Sequence, residues 1–261
     1  MKRKHTVQIA LTGIFVFVFC FSAYQIGLTY CTGQQEQQKF DELKELVEAA
    51  NTVVPIHMKT EITQDSEELS ILPEYMELIK MNEDFFGWLR IEDTPINYPV
   101  MHTPADSQFY LHRAFDKSDA QSGTPFLDGA CYEGCGMYLI YGHHMKNDTM
   151  FGTLPKYGSK DYWEDHKTIH FDTRFERGEY EVIAAFYSEI YDEREPGFRY
   201  YQYTDLTNPA VFDEYMEQVK FNATYETGVS AEYGDQLLVL STCNYHTNDG
   251  RFVVVARKTE Y

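Results

Sequence analysis

The sequence predicts a mostly β fold, a closed barrel or a sandwich. Three observations carry that expectation. Eight short segments rich in β-branched and aromatic residues recur between Gly87 and Arg257, separated by Gly, Pro, Asp and Asn. Two of them, Leu237-Leu238-Val239-Leu240 and Val253-Val254-Val255, are nearly continuous apolar runs, the pattern of strands buried on both faces. Helical periodicity is sparse, which disfavours an alternating α/β arrangement.

The expected strands are Gly87–Ile91, Ile96–Met101, Thr124–Leu127, Met137–Tyr141, Thr168–Asp172, Tyr180–Ser188, Gln236–Thr242 and Phe252–Arg257. A short helix is expected over Pro73–Asn82, where Tyr75, Leu78, Ile79 and Met81 are suitably spaced. A second is expected over Asn208–Phe221, where Val211, Phe212, Tyr215, Met216 and Val219 follow a 3.6-residue period.

Ahead of this domain lies a different kind of sequence. Val7 to Leu28 is 22 residues without a charge, and about 20 apolar helical residues span a bilayer core. Lys2, Arg3 and Lys4 precede it, so the N-terminus is expected in the cytoplasm and the rest outside. The run exceeds a signal-peptide core of about 7–15 residues, and Ser22-Ala23-Tyr24 is a poor cleavage site. The expected organisation is a cytoplasmic tip (1–6), a transmembrane signal anchor (7–28), an extracellular stalk (29–70) and the β-rich domain (71–261). The stalk contains one amphipathic helix, with Phe40, Leu43, Leu46 and Val47 at helical spacing, and an irregular acidic stretch from Thr52 to Ser70.

The charge follows the same division. The chain holds 22 Lys+Arg and 41 Asp+Glu, a net charge of −19. All three basic residues of the first 31 are at the tip, so the remainder stands at −22. Nucleic acid is not an expected partner, because that affinity comes largely from Lys and Arg on phosphates. Five cysteines in 261 residues do not make a disulfide scaffold.

Three polar residues at strand ends are candidates for chemistry. Cys243 closes the strongest strand, in LLVLSTC. A buried free cysteine is ordinarily inert; a reacting one needs a base or imidazolium partner and an oxyanion donor. Tyr141-Gly142-His143-His144 runs from a strand into two histidines, and Arg251 opens the strand after Cys243. Neighbours on extended chain point opposite ways, so only one histidine is assigned to catalysis. A rival is a zinc site, since Cys131-x3-Cys135 with His143 and His144 offers four ligands. Adjacent histidines seldom share one ion, and a loop disulfide or two free thiols are the alternatives for the pair.

Several segments together resemble a class B sortase, a membrane-anchored cysteine transpeptidase of Gram-positive bacteria. They are YGHHMKNDTMFGTLPKY at 141–157, LSTC at 240–243 with Arg251 eight residues on, Gly87-Trp88-Leu89, Ile96 to Val100, Tyr110-Leu111 and Ser122 to Asp128. The resemblance covers about residues 70–258. It implies a closed eight-stranded sortase-like β-barrel with N-terminal helices and a helix inserted before the cysteine strand. It also implies that Cys243 attacks the Thr carbonyl of a sorting signal, that His143 protonates the leaving amine and that Arg251 holds the oxyanion or substrate carbonyl. Only a fraction of enzyme molecules would hold the thiolate and imidazolium together. Tyr98, Leu111, Ser241 and Thr242 would line the groove.

The implied partners are secreted proteins with a C-terminal sorting motif, and an amine from a peptidoglycan precursor or pilin as acceptor; no cofactor is implied. The chain departs from the family's Thr-Leu-x-Thr-Cys with Val239-Leu240-Ser241-Thr242-Cys243, and Asn244 stands where some members carry Asp. Two other functions fit parts of the sequence: a cysteine peptidase releasing product to water, and a non-catalytic anchored binding module with a dispensable Cys243. Arg251 argues against a papain-like peptidase, which orients its histidine with Asn or Asp.

Overall fold

The computed structural model describes residues 2–53, 70–192, 194–203, 205–244, 247 and 249–259. Eight strands close into one barrel in the order β1-β2-β3-β4-β7-β8-β6-β5. They are β1 (Phe85–Arg90), β2 (Asn97–Met101), β3 (Phe126–Leu127), β4 (Met137–Gly142), β5 (Thr168–Thr173), β6 (Glu179–Glu189), β7 (Leu237–Cys243) and β8 (Gly250–Lys258). The barrel is the expected alternative; the sandwich is not formed. Closure is made by β1 against β5, from Gly87↔Thr173 to Arg90↔His170.

The apolar runs are buried on both faces, as their lack of alternation predicts. Every residue of β7 from Leu237 to Thr242 is buried. One face looks onto an aromatic cluster of Phe86, Tyr138 and Phe171, with ring centroids 5.5–6.4 Å apart. The other face of the sheet is covered near β6 by Phe198, which meets Phe186 at 5.8 Å and Tyr215 at 5.5 Å. Tyr215 belongs to α4 (Pro209–Asn222), the helix between β6 and β7. Its start is set chemically: the Asn208 side chain accepts from the Ala210 N–H at 2.9 Å and Pro209 occupies the first turn.

The strand ends differ from expectation by one or two residues. β3 is the shortest, because Thr124 is tied elsewhere: its N–H donates to the Tyr110 carbonyl and its hydroxyl to the Arg113 carbonyl. β2 meets β3 at the single position Met101↔Phe126, and this leaves room for Pro99, which has no N–H to give a ladder. The helix expected over Pro73–Asn82 begins as a 3₁₀ turn at Pro73–Tyr75 and becomes α-helical as α2 (Met76–Met81). A one-and-a-half-turn helix, α3 (Lys160–Asp165), carries only Trp163 as a buried residue and was not expected. One buried side chain makes no periodic signal.

The N-terminal segments form one continuous helix, α1 (Lys2–Val53). Residues 1–41 and 42–261 are separate compact units. In the first, the helix is long and apolar enough to cross a membrane, and Phe15, Phe17, Phe19 and Ile26 are exposed along it. In the second, Leu43 and Val47 are buried while Leu46 is 44% exposed. Arg177, in the β5–β6 turn, donates to the Asn51 side chain at 3.5 Å and pairs with the buried Glu74. Most of the acidic stretch after Thr52 lies outside the described residues.

Gly87 is where barrel closure needs a glycine. A Cβ there would lie 2.1 Å from the backbone carbonyl oxygen of Asp172 on β5, with no rotamer to relieve it. Gly87→Ala is expected to destabilise the barrel by about 3 kcal/mol or more, the upper end of overpacking costs. Thermal unfolding should show a melting temperature lower by roughly 10 °C for a domain of this size. An unchanged melting temperature would mean that β1 and β5 can separate freely.

Candidate active site

Strand pairing brings three sequence-distant residues to one end of the barrel. β7 and β8 are antiparallel, and Cys243 is the register partner of Arg251. Directly opposed residues of an antiparallel pair project to the same face. β4 runs parallel to β7 with Gly142 beside Thr242. One residue further along each chain come His143 and Cys243. The parallel pairing therefore brings the chain that carries His143 alongside the end of β7.

The turn from Cys243 to Arg251 is held by backbone bonds, Asn244 N–H to the Gly250 carbonyl at 2.8 Å and Gly250 N–H to the Thr247 carbonyl at 3.3 Å. Thr247 also donates to the Glu189 carboxylate at 2.9 Å, pinning the turn to the end of β6. Tyr245, His246 and Asn248 lie outside the described residues. Arg251 Nη1 donates to the carbonyls of Asp249 and Gly250, both at 3.0 Å, so the guanidinium is folded over the start of its own strand.

The two histidines have separate partners. His143 Nε2 donates to the Leu111 carbonyl at 2.7 Å, and its ring stacks on His112 with centroids 5.2 Å apart. His144 Nδ1 donates to the backbone carbonyl of Cys243 at 2.9 Å. Gly142 permits this corner. A Cβ on it would meet the Phe151 ring at 2.7 Å, and the Phe151 N–H bonds the His143 carbonyl at 2.9 Å. Burial is the largest influence on the His143 imidazole and holds its pKa below the ordinary value; the Leu111 carbonyl opposes this and the His112 ring adds to it.

The four residues expected to line a groove differ in exposure. Leu111 is half-buried. Tyr98, Ser241 and Thr242 are buried. Tyr98 accepts from the Met150 N–H at 3.1 Å. Thr242 donates to the Gly142 carbonyl at 2.7 Å, and so buttons β7 to β4 beside His143. Ser241 shares a 2.7 Å hydrogen bond with the buried phenol of Tyr200.

Tyr200 is the residue that sequence reading missed. It sits in a 3₁₀ turn at Tyr200–Gln202, between β6 and α4. Burial pushes its phenol up to about 12; the Ser241 bond and the Arg251 charge act against that, and Cys243 acts with it. It thus senses both strand ends. Nothing in the Phe198–Tyr203 run distinguishes Tyr200 from its aromatic neighbours.

The zinc alternative fails on distance. Cys131 and Cys135 precede β4 and the histidines follow it. Its six residues span about 20 Å at ~3.3 Å per residue. The two cysteines are free thiols that converge on the Met137 carbonyl, at 3.5 Å and 3.1 Å.

These features match a known group of proteins. The chain belongs to the sortase family: the Sortase domain model matches residues 89–259. Its relatives place it in class B. Sortase B of Listeria monocytogenes is 30% identical over 97% of both chains, and sortase B of Staphylococcus aureus is 26% identical over 98% of this chain and 97% of that one. The fold agrees with the structure described as a Staphylococcus aureus sortase B–substrate complex, with a TM-score of 0.74, 24% identity, and coverage of 88% of this chain and 99% of the other. Family membership makes the protein an enzyme of the transpeptidase type.

Proposed function

We propose that this enzyme cleaves a C-terminal sorting signal after Thr through a thioacyl-enzyme on Cys243, and passes the acyl group to an amine. The observation that carries the reading is the opposition of Cys243 and Arg251 across β7 and β8, beside the end of β4 from which the chain runs into His143. The Cys243 thiolate attacks the Thr carbonyl. With Nε2 committed to the Leu111 carbonyl, His143 Nδ1 is the nitrogen that gives its proton to the departing amine. The Arg251 guanidinium, whose Nη1 serves two backbone carbonyls, offers its remaining N–H donors to the tetrahedral oxyanion, a charge-assisted partner. The buried Tyr98, Ser241 and Thr242 support the groove from beneath, and Leu111 stands at its wall.

The acceptor is an amine of a peptidoglycan precursor or a pilin. The first 28 residues act as a signal anchor with the basic tip inside, and residues 29–70 as a spacer before the catalytic domain. This places the groove outside the cell, where exported substrate and wall precursor meet.

The test is incubation of the protein with Asn-Pro-x-Thr-type and Pro-x-Thr-Gly-type peptides, with and without a short glycine peptide or a lysine amine. The expected result is an acyl adduct on Cys243 in the intact mass, and an amide product when amine is present. Cleavage to free acid with no amide product at any amine concentration would instead identify a peptidase with water as acceptor, and would overturn the transfer reading.

A further inference from the structure

The ring of His112 has no role in the mechanism above, yet it is stacked on the proposed acid. We propose that His112 is a positioning residue that opposes protonation of His143 and so sets the fraction of molecules in the competent ionisation state. This rests on the reading of His143 as the proton donor.

The contact is built into the fold. His112 ends the 3₁₀ turn Phe109–His112, and its ring lies 5.2 Å from that of His143, 28° from parallel. The turn is anchored on both sides. The buried Tyr110 donates to Asp84 at 2.8 Å and accepts from Asn82 at 2.7 Å, and the His112 carbonyl accepts from the Ala120 N–H at 3.1 Å. Gly123 lies so close beneath that a Cβ would be 2.4 Å from the Leu111 carbonyl oxygen. The same short turn therefore presents two opposed influences to His143. The Leu111 carbonyl accepts from Nε2 and favours the imidazolium, while the neighbouring ring resists a second positive charge.

Other ionisable groups stand on β7, which adjoins β4, on β8 beyond it and in the loop itself. Cys243 stands on β7, Arg251 on β8 and His144 in its own loop. Arg113, beside His112, is turned away to Asp119 at 2.9 Å. His112 is exposed, so its ring can be changed without opening the core.

The chemistry follows from like charges at stacking distance. A proton on His112 raises the cost of a proton on His143. Removing the ionisable ring should enlarge the imidazolium fraction, and a fixed positive charge should shrink it.

The experiment is a histidine NMR titration of the full chain as wild type, His112→Gln and His112→Lys, in a Cys243→Ala background that removes the thiol's charge. It is paired with pH–rate profiles of peptide cleavage in the same two variants with Cys243 intact. The His143 midpoint and the acid limb of the rate profile are expected to move up in His112→Gln, with turnover near neutrality rising a few fold. Both are expected to move down in His112→Lys. A midpoint common to all three proteins overturns the proposal. Cleavage surviving in His143→Ala would instead remove the reading on which it rests, and the titration would show the two apart.

Discussion

Cys243→Ala is expected to lower peptide cleavage on the order of 10³-fold or more, the scale seen when a nucleophile is deleted, while thermal stability stays nearly constant. Both halves follow from the geometry. Cys243 is the last residue of β7 and is only half-buried, so its loss leaves no closed cavity in the core. Its ladder contact to Arg251 and the bond from His144 Nδ1 both use the backbone, which alanine keeps. Cys131 and Cys135 cannot substitute, because they lie before the start of β4, at its opposite end. The measurement is steady-state cleavage of a fluorogenic peptide beside a melting curve. Cleavage at more than a tenth of the wild-type rate would sink the covalent route. A large fall in melting temperature would show that Cys243 is a packing residue.

The arrangement that this variant probes was largely legible before folding, for a physical reason. A cysteine after LLVLST, a histidine after YLIYG and an arginine opening FVVV all sit where strands leave the core, and strand ends are where a barrel can offer polar groups to solvent. A seven-residue separation between Cys243 and Gly250 is a short return, and the observed pairing opposes Cys243 to Arg251 as a hairpin requires. The eight strands were legible because each is short, apolar and bounded by turn residues.

What was not legible depends on partners far away in the chain. Ser241 and Thr242 are expected at the groove by resemblance alone. The partners of their hydroxyls, Tyr200 and the Gly142 carbonyl, lie 41 and 100 residues away in the chain. The His112–His143 stack likewise joins two segments that no periodicity links. A buried polar group must find a partner, but a single sequence does not say which. The join between the expected anchor and stalk is another case. Composition changes sharply near Leu28, yet the helix runs on to Val53, since Gln, Glu, Lys and Leu are as helix-compatible as the apolar residues before them.

Arg251→Lys is expected to cost about 10²–10³-fold in turnover, the scale of losing an oxyanion donor, or about 2.7–4 kcal/mol of transition-state stabilisation. The charge is retained, so a role in long-range attraction of substrate would leave the variant active. The guanidinium differs in having five N–H donors in a planar fork, whereas the ammonium is a compact point charge on a flexible stem. In the resting structure Nη1 already serves the carbonyls of Asp249 and Gly250. A lysine nitrogen that satisfied those two acceptors would have to abandon them to reach an oxyanion, while the fork has further nitrogens to offer. The loss should appear chiefly in kcat, because the oxyanion exists only in the transition state and its neighbours. Arg257→Lys is the control. It lies further along the same strand, paired with Glu181 at 3.3 Å and Asp235 at 3.9 Å, and is half-exposed there. Its replacement should leave turnover within twofold. A deficit in Arg251→Lys confined to KM would assign Arg251 to ground-state binding of the substrate carbonyl, and wild-type turnover would remove it from the site altogether.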